Sequence, residues 1–178
     1  QSEEIDNMLK KIQLSIISLL FITFSFADVF ITELADPNNN ANARYIELYN
    51  NGDSDVDLSS WRIDKYTNAS ADVSQTLALT GTIAAGGFYI IATGGEDTEI
   101  FDVFGVTPDQ WDPGSNNVAG SNGDDNLELY NGASLIDQYG MPGVDGTNED
   151  HEFEDGRAER ADGVTTGNAV WDFSEWNI

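Results

Sequence analysis

The chain has 178 residues, of which 32 are acidic and 7 are basic, with one histidine and no cysteine. Hydrophobic residues make up 40% of the sequence and aromatic residues 11%, which is enough for one folded core and excludes a wholly disordered acidic chain. The lack of cysteine excludes disulfide frameworks and thiol nucleophiles. A net charge of −25 disfavours unaided binding to nucleic acid or to anionic membranes.

Residues 1–27 are predicted to comprise seven upstream residues followed, from Met8, by a secretory signal peptide. Met8 and two lysines precede an apolar run over residues 12–26, and small residues stand at the cleavage position that ends with Ala27. We predict initiation at Met8 and a mature chain that begins at Asp28. The apolar run is short for a membrane span, so a membrane anchor is the weaker alternative. An exported chain without cysteine is more typical of bacteria than of animal secretions.

Short runs of alternating apolar and polar residues follow and predict β-strands. In residues 44–49, for example, Tyr45 and Glu47 alternate with apolar neighbours, so one face of that strand should be buried. Asn131 and Gly132 separate two such runs, and we predict a hairpin with a type I′ turn at this pair. Seven strands at this spacing indicate an all-β sandwich. The predicted strands are 29–34, 44–49, 56–66, 75–79, 87–92, 126–130 and 134–139.

Residues 94–123 interrupt this regular spacing. We predict a short strand or a helical turn near residues 100–104, followed by a long loop. Trp111 lies in that loop and is expected to pack against the edge of the sandwich, because isolated aromatic residues commonly hold long loops in place. A tryptophan that faces a ligand is the alternative.

Two motifs together resemble the signature of a known family. Residues 44–52 read RYIELYNNG and residues 56–63 read VDLSSWRI, as in lamin tail domains. The resemblance covers residues 28–139 and implies an immunoglobulin-like β-sandwich of about seven to nine short strands, with no catalytic residues. Such domains occur in nuclear lamins and in secreted bacterial proteins, sometimes beside nucleases or other hydrolases. Residues 140–178 are predicted to be a C-terminal extension that either completes the sandwich or is truncated.

The motif residues have structural interpretations. Trp61 is predicted to anchor the core, since a large aromatic side chain buries much apolar area. Asp57 precedes a turn and should accept backbone N–H groups there. Glu47 should point away from the core and pair with Arg44 or Arg62, although exposed pairs contribute little to stability.

Three loops concentrate side-chain oxygens. Asp, Asn and Gly residues in such loops can supply the oxygen ligands that Ca²⁺ prefers, but none of the three has the spacing of an EF-hand. Solvation of an acidic surface is the ordinary explanation for the clusters. We therefore predict no resident cofactor and keep Ca²⁺ as the alternative. The loops are 53–57, 122–126 and 145–150.

His151 is the one residue that suggests a general base. It lies among charged residues in 149–155, so a solvated loop or strand edge is the ordinary explanation. Carboxylate pairs for glycoside hydrolysis cannot be singled out among so many acids, and the few basic residues disfavour a nuclease. We predict no catalytic residue, no metal ligand and no cofactor-binding residue.

Trp171, Phe173 and Trp176 are predicted to cover an edge or an end of the sandwich, or else to form an exposed docking patch. The function that we expect is a non-catalytic, secreted interaction or adhesion module. Its partner would be an extracellular protein or a polysaccharide, without direct binding to nucleic acid and without a membrane span after cleavage. The alternatives are a calcium-dependent carbohydrate or matrix binder and an accessory part of a secreted hydrolase or nuclease.

Overall fold

The computed structural model describes residues 29–94, 99–113 and 117–178. The predicted signal peptide and its cleavage site lie outside these residues. Within them the chain forms twelve β-strands and one short α-helix, which confirms the predicted all-β class. No helix in the described ranges is long and apolar enough to cross a membrane.

The strands are short and are numbered here in chain order, and α1 (Glu99–Phe104) lies between β7 and β8. They are β1 (Val29–Ala35), β2 (Tyr45–Asn50), β3 (Val56–Asp57), β4 (Trp61–Tyr66), β5 (Gln75–Ala78), β6 (Thr82–Ile83), β7 (Phe88–Thr93), β8 (Gln110–Asp112), β9 (Asn126–Asn131), β10 (Ser134–Tyr139), β11 (Arg157–Arg160) and β12 (Trp176–Asn177).

Two larger sheets form the layers of the sandwich. The described strands of the first are ordered β12-β11-β1-β2-β7-β8, and those of the second are ordered β10-β9-β4-β5. All neighbours are antiparallel except β7 and β8, and a small pair of β3 and β6 stands apart from both sheets. β11 and β12 lie within residues 140–178. They extend the six-stranded sheet, because β11 pairs with β1 and β12 pairs with β11.

The core lies between the two sheets and follows the alternation of the strands. In β2, Ile46 and Leu48 are buried while the residues between them are partly exposed. In β4, Trp61 and Ile63 face the same core from the other sheet. Burial of such side chains contributes about 1.5–3 kcal/mol each, which makes this apolar layer the main stabilising feature of the fold.

Two β-bulges change which residues face the core. In β1 the register shifts between Ile31 and Glu33, so that Glu33 rather than Thr32 is opposite a residue of β2. In β10 the register shifts between Leu135 and Asp137, and Asp137 is turned inward.

Asp137 and Arg160 form a buried ion pair that connects the sheets. Asp137 is fully buried, and it also accepts the backbone N–H groups of Ile31 at 2.8 Å and Asn168 at 2.9 Å. Arg160 donates to Glu175 at 2.8 Å and lies over the ring of another buried residue, Trp176. Burial raises the pKa of Asp137, whereas the arginine and the backbone donors lower it. The pair fixes β10 against β1 and β11.

Two predictions about turns are corrected by the structure. Residues 56–66 form two strands in different sheets, because the Asp57 carboxylate accepts the Ser59 N–H at 2.8 Å and stabilises a turn between them. The hairpin between β9 and β10 turns at Gly132 and Ala133, not at Asn131 and Gly132. Only Gly132 has a positive φ there, which is the pattern of a type II′ turn rather than the predicted type I′.

The region after β7 is more ordered than the predicted long loop. Of the two structures predicted near residues 100–104, a short strand or a helical turn, the chain forms the helix α1, in which Ile100 is buried. Trp111 lies in β8, which pairs in parallel with β7 at the edge of the sheet, and is partly buried. Its placement agrees with packing at the sandwich edge.

Candidate functional site

Three glutamates lie side by side on the outer face of the six-stranded sheet. Glu33 of β1 is opposite Glu47 of β2 on one side and opposite Glu159 of β11 on the other. Like charges that face each other on neighbouring strands destabilise a sheet. A local conflict of this kind is typical of functional sites. We call these three residues the glutamate row.

Neighbouring groups compensate the charge of the row only in part. The Thr32 hydroxyl donates to Glu47 at 2.7 Å, and the Tyr45 hydroxyl donates to Glu33 at 2.7 Å. The Arg157 guanidinium lies 3.5 Å from Glu33 and 3.0 Å from Glu159, but the arginine side chain is 59% exposed. Solvent weakens such exposed pairs, so the row keeps an excess of negative charge.

The pKa of Glu47, which lies at one end of the row, reflects both burial and this surplus of charge. Burial raises the pKa of Glu47 above its ordinary value of 4.5, the Thr32 hydrogen bond lowers it, and the charges of Glu33 and Glu159 raise it further. A positive group placed on the row would replace these repulsions by attraction. The row is therefore electrostatically suited to a cationic ligand.

An aromatic row runs beside the glutamate row on the same face. Phe30 is opposite Tyr49, and Tyr49 is opposite Phe88. The ring centroids of Tyr49 and Phe88 are 4.7 Å apart, and Phe88 is 58% exposed. An exposed ring beside carboxylates offers a ligand both apolar contact and charge. We call these three residues the aromatic row.

A groove of about 310 Å³ lies over the two rows. Its volume is near the lower end of the range of small-ligand sites. The wall beyond the rows is the segment that follows β11, in which Asp162 adds another acidic side chain. The lining residues are Phe30, Thr32, Glu33, Glu47, Tyr49, Phe88 and residues 159–164.

The sequence predicted one property of Glu47 correctly and one wrongly. Its side chain is on the face opposite to the buried residues of β2, as predicted. Neither predicted arginine pairs with it, because each has a nearer acid. Arg44 donates to Asp36 at 2.6 Å, and Arg62 donates to Asp64 at 3.0 Å. Glu47 is instead part of the glutamate row.

The other two motif residues have the predicted structural roles. Trp61 is 3% exposed and lies in the core. The Asp57 carboxylate accepts the N–H of Ser59, and this hydrogen bond lowers the pKa of Asp57. Both predictions are confirmed, and neither residue lines the groove.

Two of the three acidic loops meet in the structure. The Asn68 side chain donates to Asp124 at 3.0 Å and also interacts with Asp145, and Gly146 N–H donates to the Asp124 carbonyl at 3.0 Å. The first loop contacts a different segment, since Asp55 accepts the Ala85 N–H. Among the residues that the structure describes, no three acidic or histidine side chains are grouped so that they could hold a metal ion. Calcium binding stays the untested alternative to the prediction of no resident cofactor.

His151 is fully buried, so the predicted solvated loop or strand edge is wrong. The cause is aromatic packing: its ring contacts those of Tyr139 and Trp171 edge to face. Neither ring nitrogen has a hydrogen-bond partner within the described part of the chain. Burial lowers the pKa of His151, while nearby carboxylates such as Glu149 oppose this shift. The ring is placed as a packing element away from the groove.

The C-terminal aromatic residues divide between core and surface. Trp176 is 4% exposed, and Trp171 packs against the core, with 6.2 Å between the centroids of the two rings. Phe173 is 48% exposed. The two tryptophans therefore cover one part of the sandwich, as the first of the two predicted arrangements requires, while Phe173 remains at the surface.

Sequence reasoning missed Glu33 and Glu159 as members of a site. Each lies in a short strand whose local pattern explains a glutamate as an ordinary surface residue. Their meeting with Glu47 depends on strand order and on the bulge in β1, which the local sequence does not reveal. A glutamate near the middle of each of three strands was the only available signal.

The two packed sheets, the short strands and the predominantly antiparallel pairing define an immunoglobulin-like β-sandwich with a groove on one outer face. The family model of the Lamin Tail Domain matches residues 23–143. The chain therefore belongs to the lamin tail domain family, a family of immunoglobulin-like structural and interaction domains. No curated protein matches the sequence.

Proposed function

We propose that this chain is a non-catalytic interaction domain of an exported protein and that its groove binds a basic segment of an extracellular protein. The observation that carries the proposal is the glutamate row, in which Glu33, Glu47 and Glu159 are adjacent although this arrangement disfavours folding. A lysine or arginine side chain would neutralise the row.

The aromatic row adds contact area for the same ligand. The exposed ring of Phe88 and the neighbouring ring of Tyr49 can contact the aliphatic stem of a lysine or stack on an arginine. A segment that alternates basic and apolar residues would place one kind of side chain on each row. Family membership and the leader pattern in residues 8–27 support an exported interaction domain.

Binding to peptide arrays tests this proposal. The full chain is incubated with immobilised peptides that contain lysine or arginine next to an aromatic or aliphatic residue, and with the same peptides in which glutamine replaces the basic residues. We expect binding to the basic peptides only, with an affinity that falls as salt is raised, because salt screens charges.

Glu47→Gln should weaken this binding about tenfold, the effect of losing roughly 1.4 kcal/mol. Glu154→Gln is the matched control, since it removes the same charge from an exposed residue outside the groove lining. Equal binding by the wild type and the Glu47 variant, or equal binding to basic and glutamine peptides, would contradict the proposal.

A carbohydrate ligand is the second candidate, and the aromatic row is the observation that favours it. Sugar-binding sites commonly combine flat aromatic side chains with carboxylates, and both kinds of side chain line this groove. Binding of soluble oligosaccharides that is lost in Phe88→Ala but retained in Glu47→Gln would support this candidate over a basic peptide.

The calcium-dependent form of this candidate has its own test. If the acidic loops hold Ca²⁺ in the folded chain, millimolar Ca²⁺ should raise the melting temperature and a chelator should reverse the effect, because ligands that bind only the folded state stabilise it. Asp124→Asn should abolish the shift, because Asp124 lies where two acidic loops meet. An unchanged melting temperature would remove calcium from the proposal.

A further inference from the structure

We propose that Lys65 and Asp125 condense to form an intramolecular amide bond in the folded chain, assisted by Asp112. All three side chains are buried, and none of them lines the groove. Lys65 is 4% exposed, Asp125 is 2% exposed and Asp112 is fully buried. This inference does not depend on the proposed function.

The first observation is the approach of an amine to a carboxyl group. Lys65 Nζ lies 3.3 Å from Asp125 Oδ2. Lys65 points inward from β4, and Asp125 immediately precedes β9, which pairs with β4. The fold therefore holds the two reactants in contact, and well-oriented intramolecular reactants can reach effective concentrations of about 10⁵–10⁸ M.

The second observation is an additional acid beside this pair. Asp112 Oδ2 accepts the N–H of Ala119 at 2.8 Å, but Asp112 Oδ1 has no hydrogen-bond partner in the described part of the chain. Burial raises the pKa of Asp112, which favours its protonated form, although backbone hydrogen bonds and the charge of Lys65 act in the opposite direction. A protonated carboxyl group can both donate and accept a proton.

The third observation is the sequence. Lys65 is the only lysine between residues 28 and 178, whereas arginine supplies the other cations of that range. A structural cation in a buried ion pair is more often an arginine, whose guanidinium stays charged. Lysine differs because its amine becomes a nucleophile once it loses a proton. The one lysine of this range therefore lies at the buried position where an amine nucleophile would be useful.

The reaction balances with no further reagent. The Lys65 ammonium transfers a proton to the Asp125 carboxylate, which leaves a neutral amine and a neutral acid, the forms that a buried site favours. Nζ then attacks Cγ of Asp125, and the N–C bond forms as the carbonyl electron pair moves to oxygen. Asp112 takes a proton from the nitrogen and gives its own to the departing hydroxyl. The C–O bond breaks, water leaves, and an amide remains.

The product removes two charges from the interior. Burying an ion pair removes two charges from water at a large desolvation cost, and the neutral amide carries no such cost. Reversal requires water at a site from which the packed core excludes it. The bond would connect residues 65 and 125 and would restrict the unfolded chain as a disulfide does.

Mass spectrometry of the full chain, folded and then denatured, tests the proposal. We expect a mass lower than that of the sequence by one water molecule. A protease that cuts after lysine should leave residues 12–178 as one fragment, because Lys65 is acylated and Lys10 and Lys11 are cut. Asp112→Asn should fold, keep the full mass and be cut after Lys65. Lys65→Arg should also keep the full mass and should melt at a lower temperature than the wild type.

Asp64→Asn is the matched control. Asp64 is a buried acid on the same strand, but it pairs with Arg62, so this variant should still lose one water and resist cutting. A folded wild-type chain of full mass that is cut after Lys65 would overturn the proposal. Loss of water with cutting after Lys65 would also overturn it, since that result marks dehydration elsewhere, as at the Asp145-Gly146 pair. Cross-linking in Asp112→Asn at the wild-type rate would overturn the assigned role of Asp112.

Discussion

The buried acid Asp137 and the outer glutamate row contrast in how their charges are matched. Asp137 meets an arginine and three backbone N–H groups, from Ile31, Gln138 and Asn168. The three glutamates lie side by side, and one exposed arginine, Arg157, pairs with two of them. The first arrangement satisfies each carboxylate oxygen, whereas the second leaves charge unmatched at the surface. The comparison separates a structural acid from acids that are suited to an external partner.

Removal of Asp137 should have the largest effect. Asp137→Ala leaves Arg160 buried without its main partner, and breaking a buried pair in this way costs about 3–5 kcal/mol. Urea denaturation should show a loss of this size in the free energy of unfolding. Glu154→Ala, at an exposed site, should change it by less than about 0.5 kcal/mol. A small loss for Asp137→Ala would mean that the buried network does not hold the sheets together.

His151 provides a third case, a buried titratable group whose ring nitrogens have no hydrogen-bond partner among the residues that the structure describes. Its pKa is lowered from 6.5, so the unfolded chain binds a proton more readily than the folded chain below about pH 6.5. Its contribution to stability is present above that pH and is lost as the pH falls.

His151→Phe should keep the aromatic packing and remove this pH dependence of stability. Its free energy of unfolding at neutral pH should be higher than that of the wild type by up to about 1 kcal/mol, because no buried ring nitrogen is left without a hydrogen bond. Denaturation curves measured from pH 7.5 to 5.5 test this prediction. The same pH slope in wild type and variant would show that His151 is not the group that titrates.

Neutralising the glutamate row should stabilise the fold, the opposite of the Asp137 result. Glu47→Gln removes the repulsion between Glu47 and the other two glutamates and should raise the free energy of unfolding by about 0.2–1 kcal/mol at neutral pH. The raised pKa of Glu47 means that its unfavourable contribution appears as the pH rises above about 4.5.

The gain from Glu47→Gln should therefore vanish at lower pH, as equilibrium denaturation at pH 4 and pH 7 can show. A loss of stability at neutral pH would indicate that the hydrogen bond from Thr32 outweighs the repulsion.

Salt should have the smallest effect on stability, and it should act on the exposed glutamate row rather than on the buried Asp137 pair. Added salt screens the exposed charges of the glutamate row and should stabilise the wild type by a few tenths of a kcal/mol, about the size of a surface charge interaction. The gain should be smaller in Glu47→Gln. Melting temperatures at low and moderate sodium chloride measure the difference, and identical salt responses would count against repulsion in the row.

The local sequence predicted much of the architecture. The alternation of residues 44–49 predicted which side chains of β2 are buried, and the composition of the turns predicted most strand ends. Family motifs predicted the sandwich. The hairpin turn was placed one residue too early, because an Asn-Gly pair satisfies the local turn rule equally well at two registers.

The candidate site was much less predictable. Its glutamates are far apart in sequence, and each is unremarkable in its own strand. A bulge in β1 brings Glu33 opposite Glu47, and a bulge in β10 turns Asp137 toward Arg160. His151 was predicted to be solvated because its sequence neighbours are charged, yet Tyr139 and Trp171 bury it.

The sequence by itself determined the sheet class, the buried faces of the strands, the acidic character and the family, because these depend on residues close together in the chain. Tertiary structure alone decided which charges meet: Glu33 with Glu47, Asp137 with Arg160, and Lys65 with Asp125. The physical reason is register. Strand pairing and bulges set side-chain contacts between distant segments, and a shift of one residue reverses the face on which each side chain lies.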